Sequence, residues 1–183
     1  MNTENNIFII TGEARSGKTL LISNLISKIN KLGIKATGVY SPARFEGGAK
    51  TGIYVVDISS GKKELLASYQ PGWDPENLKR EWKMDTDVLQ WGHKIIRNSV
   101  PTSVLIIDEL GFLEFEKNLG WISAFDILGE GNYRIAIVVV RIGLLKKALT
   151  KWESAKIIDM DKPSLRKEQT SFLLEQIQAI STK

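Results

Sequence analysis

The sequence predicts an α/β fold in three layers, with a mostly parallel central sheet covered by helices on both faces. Three short apolar runs support this prediction, at residues 7–10, 104–107 and 135–140. Runs of this length without interspersed polar residues are typical of strands buried on both faces. Segments with helical spacing of apolar residues follow the runs, and strands that alternate with helices favour a parallel sheet.

The first element is a strand at residues 7–10, which ends at Thr11 and Gly12. Apolar residues then recur with helical spacing over residues 20–32. Gly33 supplies the residue type that commonly ends a helix. A strand, a glycine-containing loop and a helix are therefore the first three elements.

Residues 35–70 are rich in β-formers and are divided by glycines at 47–48 and by the turn sequence at 59–61. Turn residues at these positions predict two or three antiparallel strands, which we interpret as a β-hairpin insertion at about 37–67. Residues 71–84 that follow are predicted to be irregular or weakly helical, because glycine and proline interrupt them.

The second half continues the alternation of helix and strand. Asp85 or Thr86 is predicted to cap a helix that runs to Asn98, and Ser164 is predicted to cap the last helix. The other predicted elements are helices at 120–128 and 144–150 and a strand at 156–159.

Length and composition fit a single domain over residues 1–183 and exclude several kinds of chemistry. The chain has no cysteine and one histidine, which excludes disulfides, thiol catalysis, thiolate-bound metals and a metal site of several histidines. The net charge of +4 suits anionic small ligands and does not by itself support nucleic-acid binding. No stretch approaches the ~18 consecutive apolar residues of a membrane span, and residues 1–6 lack the basic start of a secretion signal, so we expect a cytoplasmic protein.

The loop between the first strand and the first helix matches the pattern G-x-x-x-x-G-K-[ST]. Gly12 and Gly17 allow backbone angles that other residues avoid, so that N–H groups can turn inward around a phosphate. The following helix adds the positive end of its dipole. We expect Lys18 to reach the β- and γ-phosphates and the Thr19 hydroxyl to bind Mg²⁺. The predicted phosphate loop is Gly12, Glu13, Ala14, Arg15, Ser16, Gly17, Lys18 and Thr19.

An acidic pair, Asp108 and Glu109, closes the second apolar run. A P-loop enzyme places its second Mg²⁺-holding carboxylate at the end of such a strand, and this position predicts that Asp108 binds the ion. Glu109 would then polarise the attacking water as a general base.

Residues 108–111 also fit the D-x-x-G of GTP-switch proteins. Phe112 follows the glycine where those proteins place a water-orienting residue, and residues 150–153 offer Thr-Lys-Trp-Glu instead of the N/T-K-x-D that reads guanine. A GTP-specific switch is therefore disfavoured.

With these residues, the chain resembles the small P-loop nucleoside-triphosphatases known as the cancer-related nucleoside-triphosphatase family. The phosphate loop and residues 108–114, close to the family's D-E-[IL]-G-x-[ML]-E, are the specific features. Residues 38–44 and residues 163–166 are also similar to family segments, and the resemblance spans almost the whole chain.

The resemblance implies Mg²⁺-dependent hydrolysis of ATP, GTP and other nucleoside triphosphates to the diphosphate and phosphate, with little discrimination among bases. It also implies a RecA-like sheet, in which another strand separates the phosphate-loop strand from the acidic strand. The chain departs from the family where Pro42 and Ala43 precede Arg44, where Phe112 replaces a polar residue, and where Leu165 stands in place of an asparagine.

Four arginines and one acid are candidates with a less specific signal. Arg44 is either a catalytic cation near the γ-phosphate or a surface residue of the hairpin. Arg141 follows the third apolar run, where it either senses the γ-phosphate or carries a charge without a functional role. Glu114 either supports the catalytic water or Arg44, or lies at the surface. Arg15 either contacts the nucleotide or faces solvent, and Arg166 is expected beside the base.

Two other functions remain open at this point. One is a nucleotide-gated adaptor that binds GTP or ATP and turns it over slowly, against which the built-in base Glu109 argues. The other is a small-molecule kinase, for which residues 71–84 are the only candidate lid.

Overall fold

The structure is a computed structural model that describes residues 6–70, 81–162 and 166–181. The Ser164 cap and most of the segment 71–84 lie outside the described residues. The last part of that segment, Glu81–Met84, is a strand.

Nine strands of the described chain form one sheet. Their order across the sheet is β6-β5-β4-β2-β7-β8-β1-β9, and β3 pairs with β4. Their bounds are β1 Asn6–Thr11, β2 Ala36–Tyr40, β3 Ala43–Glu46, β4 Ala49–Asp57, β5 Lys63–Gln70, β6 Glu81–Met84, β7 Thr102–Leu110, β8 Tyr133–Val140 and β9 Lys156–Asp159.

The sheet has a parallel half and an antiparallel half. β2, β7, β8, β1 and β9 pair in parallel, whereas β3, β4, β5 and β6 pair antiparallel with their neighbours. The parallel central sheet that the sequence predicts is confirmed. β8 separates β1 from β7, so the RecA-like order that the resemblance implies is confirmed as well.

Six helices in the described ranges cover the two faces of the sheet. α1 and α6 pack on one face, and α2 to α5 pack on the other, which makes three layers. Their bounds are α1 Lys18–Lys31, α2 Thr86–Arg97, α3 Phe112–Lys117, α4 Ser123–Glu130, α5 Leu145–Lys151 and α6 Arg166–Ser181.

Alternate residues of the central strand β7 build the two cores. Leu105 and Ile107 pack in the cluster under α2 to α5, whereas Val104 and Ile106 pack in the cluster under α1 and α6. All four side chains are fully buried. A strand covered on both faces is therefore apolar throughout, which is the signal that the sequence carries.

Residues 37–40 differ from the prediction, because they do not belong to the antiparallel segment alone. They lie in β2, which is parallel to β7 on one side and antiparallel to β4 on the other. Gly38 permits the close approach of β2 to β7: its φ is +112°, and a Cβ would lie 1.9 Å from the Ile106 carbonyl oxygen. The antiparallel part of the sheet extends through β6, beyond the predicted end of the insertion.

The helices match their sequence signals closely, with one addition. Asp85 caps α2, since its Oδ1 accepts hydrogen bonds from the Asp87 and Val88 N–H groups. α3 was not predicted, and the helix expected at 120–128 is α4 at Ser123–Glu130. None of the described helices has the length and apolar character to cross a bilayer.

The strand order determines where a site can form. β1, β7 and β8 run in the same direction and end side by side, so the phosphate loop and the acidic pair share one edge of the sheet. In open α/β sheets, ligands bind at this carboxyl edge.

Candidate active site

The phosphate loop turns sharply at both of its glycines. The φ angle is +146° at Gly12 and +94° at Gly17, a region that favours glycine. A Cβ at Gly12 would lie 2.8 Å from Ser16 Oγ and 2.9 Å from Asp161 Oδ1. The loop closes tightly before α1, and a larger residue at position 12 would force it open.

Lys18, the first residue of α1, extends back across the loop. Its Nζ donates hydrogen bonds to the carbonyl oxygens of Gly12 at 2.7 Å and Glu13 at 2.6 Å, and to Ser16 Oγ at 3.2 Å. Burial lowers the pKa of Lys18, and three nearby carboxylates oppose that effect. The ammonium group therefore lies within electrostatic reach of the acidic edge of the sheet. The three carboxylates are Asp161, Glu109 and Asp108.

Asp108 is 1% exposed and joins three elements at the end of β7. The Ser41 backbone N–H, which follows β2, donates a hydrogen bond to Oδ2 at 3.1 Å. The Thr19 side chain, in α1, also approaches the carboxylate as a hydrogen-bond donor. Burial raises the pKa of Asp108 to about 6; the charge of Glu109 adds to the increase, and both hydrogen bonds oppose it. The structure brings together the two residues that the sequence predicted as Mg²⁺ ligands.

The donor groups at this point fit a magnesium ion. Mg²⁺ prefers oxygen ligands and is usually held by one or two protein groups together with water and substrate phosphates. Asp108 and Thr19 supply such oxygens, and the buried hydroxyl of Ser41 has no hydrogen-bond partner in the described part of the chain. The described residues contain no cluster of three or more His, Asp or Glu that could hold a metal ion.

Glu109 lies in a β-bulge at the end of β7. The pairing of β7 with β8 shifts register between Ile107 and Leu110, and Glu109 has a φ of +74°. In a regular strand Glu109 would point into the same core as Ile107. Leu110 fills that core instead, fully buried. The bulge therefore keeps a charged side chain out of the apolar core, at a cost on the order of 1–3 kcal/mol of backbone strain.

Glu109 forms an ion pair with Arg141, the residue that follows β8. Arg141 Nη2 lies 2.5 Å from Glu109 Oε1, and both side chains are partly exposed. The sequence left two roles open for Arg141, a sensor of the γ-phosphate or a charge without function; in the structure its partner is the acid that the sequence predicted as a general base.

Glu114 is buried, and its contacts are to the backbone. Oε2 accepts a hydrogen bond from the Gly111 N–H at 2.7 Å, and Oε1 accepts one from the Trp121 N–H at 2.8 Å. Glu114 therefore fixes the segment that follows Glu109, in contrast to the surface position that was one of the two expectations.

Three further predicted site residues are the arginines Arg44, Arg166 and Arg15. Arg44 lies in β3, and its ion-pair partner is Glu46 of the same strand. Arg166 is the first residue of α6, and its side chain lies outside the described part. Arg15 has a φ of +67° within the phosphate loop.

Asp161, which sequence analysis missed, lies against the phosphate loop. It follows β9, and its Oδ1 accepts a hydrogen bond from the Glu13 N–H at 2.8 Å. An acid just after the carboxyl end of a strand was the signal that indicated Asp108, and the same signal could have indicated Asp161.

A groove between α1 and α6 begins at the end of the phosphate loop. Its lining combines apolar, hydroxyl and basic side chains of both helices. The lining residues are Gly17, Leu20, Leu21, Asn24, Ser27, Lys28, Lys31, Met160, Lys167, Thr170 and Ser171.

The sheet order and the loop together define an α/β protein of the P-loop type. A family model described as NTPase matches residues 7–171. The chain belongs to this NTPase family, which the resemblance in the sequence had indicated.

Curated relatives carry the name nucleoside-triphosphatase THEP1. The protein of Caldivirga maquilingensis is 26% identical over 130 residues, which cover 71% of this chain and 73% of the relative. The protein of Methanopyrus kandleri is 30% identical over 111 residues, 60% of each chain, and that of Methanothermobacter thermautotrophicus is 37% identical over 62 residues, 36% of its length. The similarity thus spans less than two thirds of the second and third relatives.

A solved structure with the same fold is the solution structure of a human cancer-related nucleoside triphosphatase. The TM-score is 0.71 over 95% of this chain and 98% of the human chain, at 18% sequence identity. The two proteins share the fold, and the three-layer P-loop architecture that the sequence predicts is confirmed.

Proposed function

We propose that this chain is a Mg²⁺-dependent nucleoside-triphosphatase, which converts nucleoside triphosphates to diphosphates and phosphate with broad base specificity. Membership of the NTPase family supports the hydrolase activity. The observation that carries the rest is that the Thr19 side chain lies beside the Asp108 carboxylate, near enough to lower its pKa. It joins the phosphate loop to the acidic end of β7, and P-loop enzymes hold Mg²⁺ and the terminal phosphates between these two elements.

Binding of the triphosphate depends on the phosphate loop and Lys18. The backbone N–H groups of the loop and the positive end of α1 bind the phosphate oxygens, and the Lys18 ammonium offsets charge on the β- and γ-phosphates. Thr19 and Asp108 would hold Mg²⁺, which when bound neutralises charge that develops on the phosphate oxygens.

Glu109 is the proposed general base. The oxygen of a water molecule attacks the γ-phosphorus, and the water's proton passes to the Glu109 carboxylate. The bond between the γ-phosphorus and the bridging oxygen breaks, and its electron pair leaves with the diphosphate. Arg44 is the proposed cation for the γ-phosphate, and it would exchange its partner Glu46 for a phosphate oxygen.

The nucleoside half of the substrate fits the groove between α1 and α6, which starts at Gly17. Leu20 offers an apolar contact, and the exposed side chains of Lys167 and Ser171 offer hydrogen-bonding groups. Among the described residues this lining shows no rigid pattern that could reject a particular base, which supports broad specificity. Arg166, at the start of α6, is the proposed residue beside the base.

Steady-state release of phosphate tests the proposal. The purified chain with Mg²⁺ and, in turn, ATP, GTP, CTP and UTP should release phosphate from all four, with kcat/KM values within about tenfold of each other. EDTA and Lys18→Ala should each abolish release. Lys146→Ala, which removes an exposed lysine of α5, is the matched control and should leave the rate unchanged.

Three outcomes would contradict the proposal. Release at background level with every nucleotide would favour an adaptor that binds nucleotide without turnover. Turnover that requires an added acceptor, which becomes phosphorylated, would favour a kinase. Activity with one base alone would contradict the broad specificity.

A further inference from the structure

We propose that Arg141 is a positioning residue that orients Glu109 to receive the proton of the attacking water. This inference rests on the proposed function, in which Glu109 is the general base. Arg141 Nη2 donates a hydrogen bond to Glu109 Oε1 at 2.5 Å, and a charge-assisted bond of this kind is stronger than a neutral one. One carboxylate oxygen is fixed by the guanidinium, and Oε2 is the oxygen that takes the proton.

The backbone fixes both ends of this ion pair. Leu110 pairs with Val140 across β7 and β8, so Glu109 and Arg141 flank one register position at the carboxyl edge of the sheet. Glu109 is held in the bulge at a φ of +74°. The Arg141 carbonyl accepts a hydrogen bond from the Leu144 N–H at 2.9 Å, which starts the turn after β8. The sheet and the hydrogen-bonded turn after β8 therefore hold the backbones of both residues.

Gly111 provides the surface on which the Arg141 side chain lies. A Cβ at Gly111 would be 3.3 Å from Arg141 Nε, closer than ordinary van der Waals contact. The Gly111 N–H is bonded to the buried carboxylate of Glu114, which fixes this peptide in place. Glu114 therefore fixes the Gly111 peptide, and the Arg141 side chain that pairs with Glu109 passes close to this peptide.

A guanidinium is needed because the Glu109 side chain is otherwise free to change rotamer. It is 37% exposed, and the ion pair with Arg141 is its described side-chain contact. A base that spends most of its time in other rotamers lowers kcat, whereas substrate binding by the phosphate loop is left unchanged. An arginine that contacted the γ-phosphate directly would instead stabilise charge on the substrate. Its removal would then slow hydrolysis even when Glu109 cannot take a proton.

The two roles separate in a double-mutant cycle of Arg141→Ala and Glu109→Gln. For a positioning residue, R141A lowers kcat at least ~10-fold with KM within about threefold, and R141A added to E109Q causes no further loss. Arg141→Lys should recover part of kcat, because lysine keeps the charge without the planar fork. Arg134→Ala is the control: it removes an arginine at the opposite end of β8, where its Nη1 bonds the Ile180 carbonyl.

Gly111→Ala is a second, independent variant. The Gly111 backbone is extended, with φ −131° and ψ −155°, so alanine fits without strain. Its methyl group would lie 3.3 Å from Arg141 Nε and should shift that side chain by a few tenths of an ångström, so kcat should fall less than in R141A, and the two losses should not add. The melting temperature of each variant reports whether it is folded.

The inference is overturned if R141A leaves kcat unchanged, if it mainly raises KM, or if it lowers the activity of E109Q further. The failure of the proposed function is distinguishable: E109Q with the wild-type kcat would remove Glu109 as the base, whatever the R141A variant does.

Discussion

The backbone N–H of Ser41 donates a 3.1 Å hydrogen bond to Oδ2 of Asp108, which ties the end of β2 to the acidic end of β7. Thr19 holds the same carboxylate from the side of the phosphate loop. Asp108 is therefore oriented from two neighbouring elements although it lies in an environment that disfavours its charge. Ionisation of such a buried carboxylate lowers the free energy of unfolding, and this effect can be measured.

Asp108→Asn should stabilise the metal-free protein at pH 7 and inactivate it. A pKa raised from 3.8 to about 6 corresponds to roughly 3 kcal/mol of unfavourable ionisation in the folded state at neutral pH. The folded state binds the proton more tightly than the unfolded state, so this penalty is absent below about pH 4 and grows as the pH rises to about 6. Asparagine carries no such penalty at any pH.

Urea unfolding of both proteins in EDTA, at several pH values from 4 to 7, measures the effect. The stability advantage of D108N should grow with pH and level off above about pH 6. An advantage that is equal at pH 4 and pH 7, or a less stable variant at pH 7, would contradict this interpretation.

Glu109→Gln should slow hydrolysis at least ~100-fold and leave nucleotide binding intact, because glutamine keeps the shape of the side chain and cannot accept the proton. Single-turnover phosphate release and binding of a fluorescent nucleotide separate the two effects. Glu116→Gln is the matched control, since Glu116 pairs with Lys147 away from the loop. An E109Q enzyme that turns over at the wild-type rate would reassign Glu109 to a structural role.

Arg44→Ala should lower kcat at least ~10-fold and change KM less, because a cation that meets the γ-phosphate acts mainly on developing charge. Glu46→Ala is the informative partner variant, as Glu46 is the described ion-pair partner of Arg44. If Arg44 must leave Glu46 to reach the phosphate, E46A should keep or raise kcat. A variant R44A that raises KM alone would indicate a role in substrate binding instead.

Gly38→Ala should destabilise the fold by about 3 kcal/mol or more, because its Cβ would meet the Ile106 carbonyl oxygen across β2 and β7. Gly61→Ala is the matched control. Gly61 also has a positive φ, of 74°, but nothing lies within 4 Å of the added methyl group. Its cost is that of the backbone angle alone, on the order of 1–2 kcal/mol. Equal denaturation midpoints for the two variants would contradict the steric argument.

The elements that the sequence predicted correctly are those with a strong local signal. Uninterrupted apolar runs indicated β1, β7 and β8, and Asp85 indicated the start of α2. The context of the phosphate loop was also predicted, because the spacing from Gly12 to Thr19 fixes a turn between a strand and a helix. These features follow from neighbouring residues along the chain.

Features that depend on distant residues were not accessible in the same way. The direction of β2 is set by its neighbours β7 and β4, so residues 37–40 were assigned to the antiparallel segment. The bulge at Glu109 arises because Leu110 competes for the apolar core, and no local pattern reports that competition. The partner of Arg141 depends on side-chain reach from β8 to β7, which a single sequence does not specify.

The hydrogen bond from the Glu13 N–H to Asp161 Oδ1 connects the phosphate loop to the segment that follows β9. Asp161 precedes α6, the helix beside which the sugar and base are proposed to lie, and Glu13 belongs to the loop that is proposed to bind the phosphates. Any movement of the Asp161 carboxylate away from the phosphate loop must break its hydrogen bond with Glu13 or move the loop with it. If the nucleotide binds as proposed, this hydrogen bond couples the nucleoside groove to the phosphate loop, and we expect a substitution of Asp161 to alter phosphate binding as well.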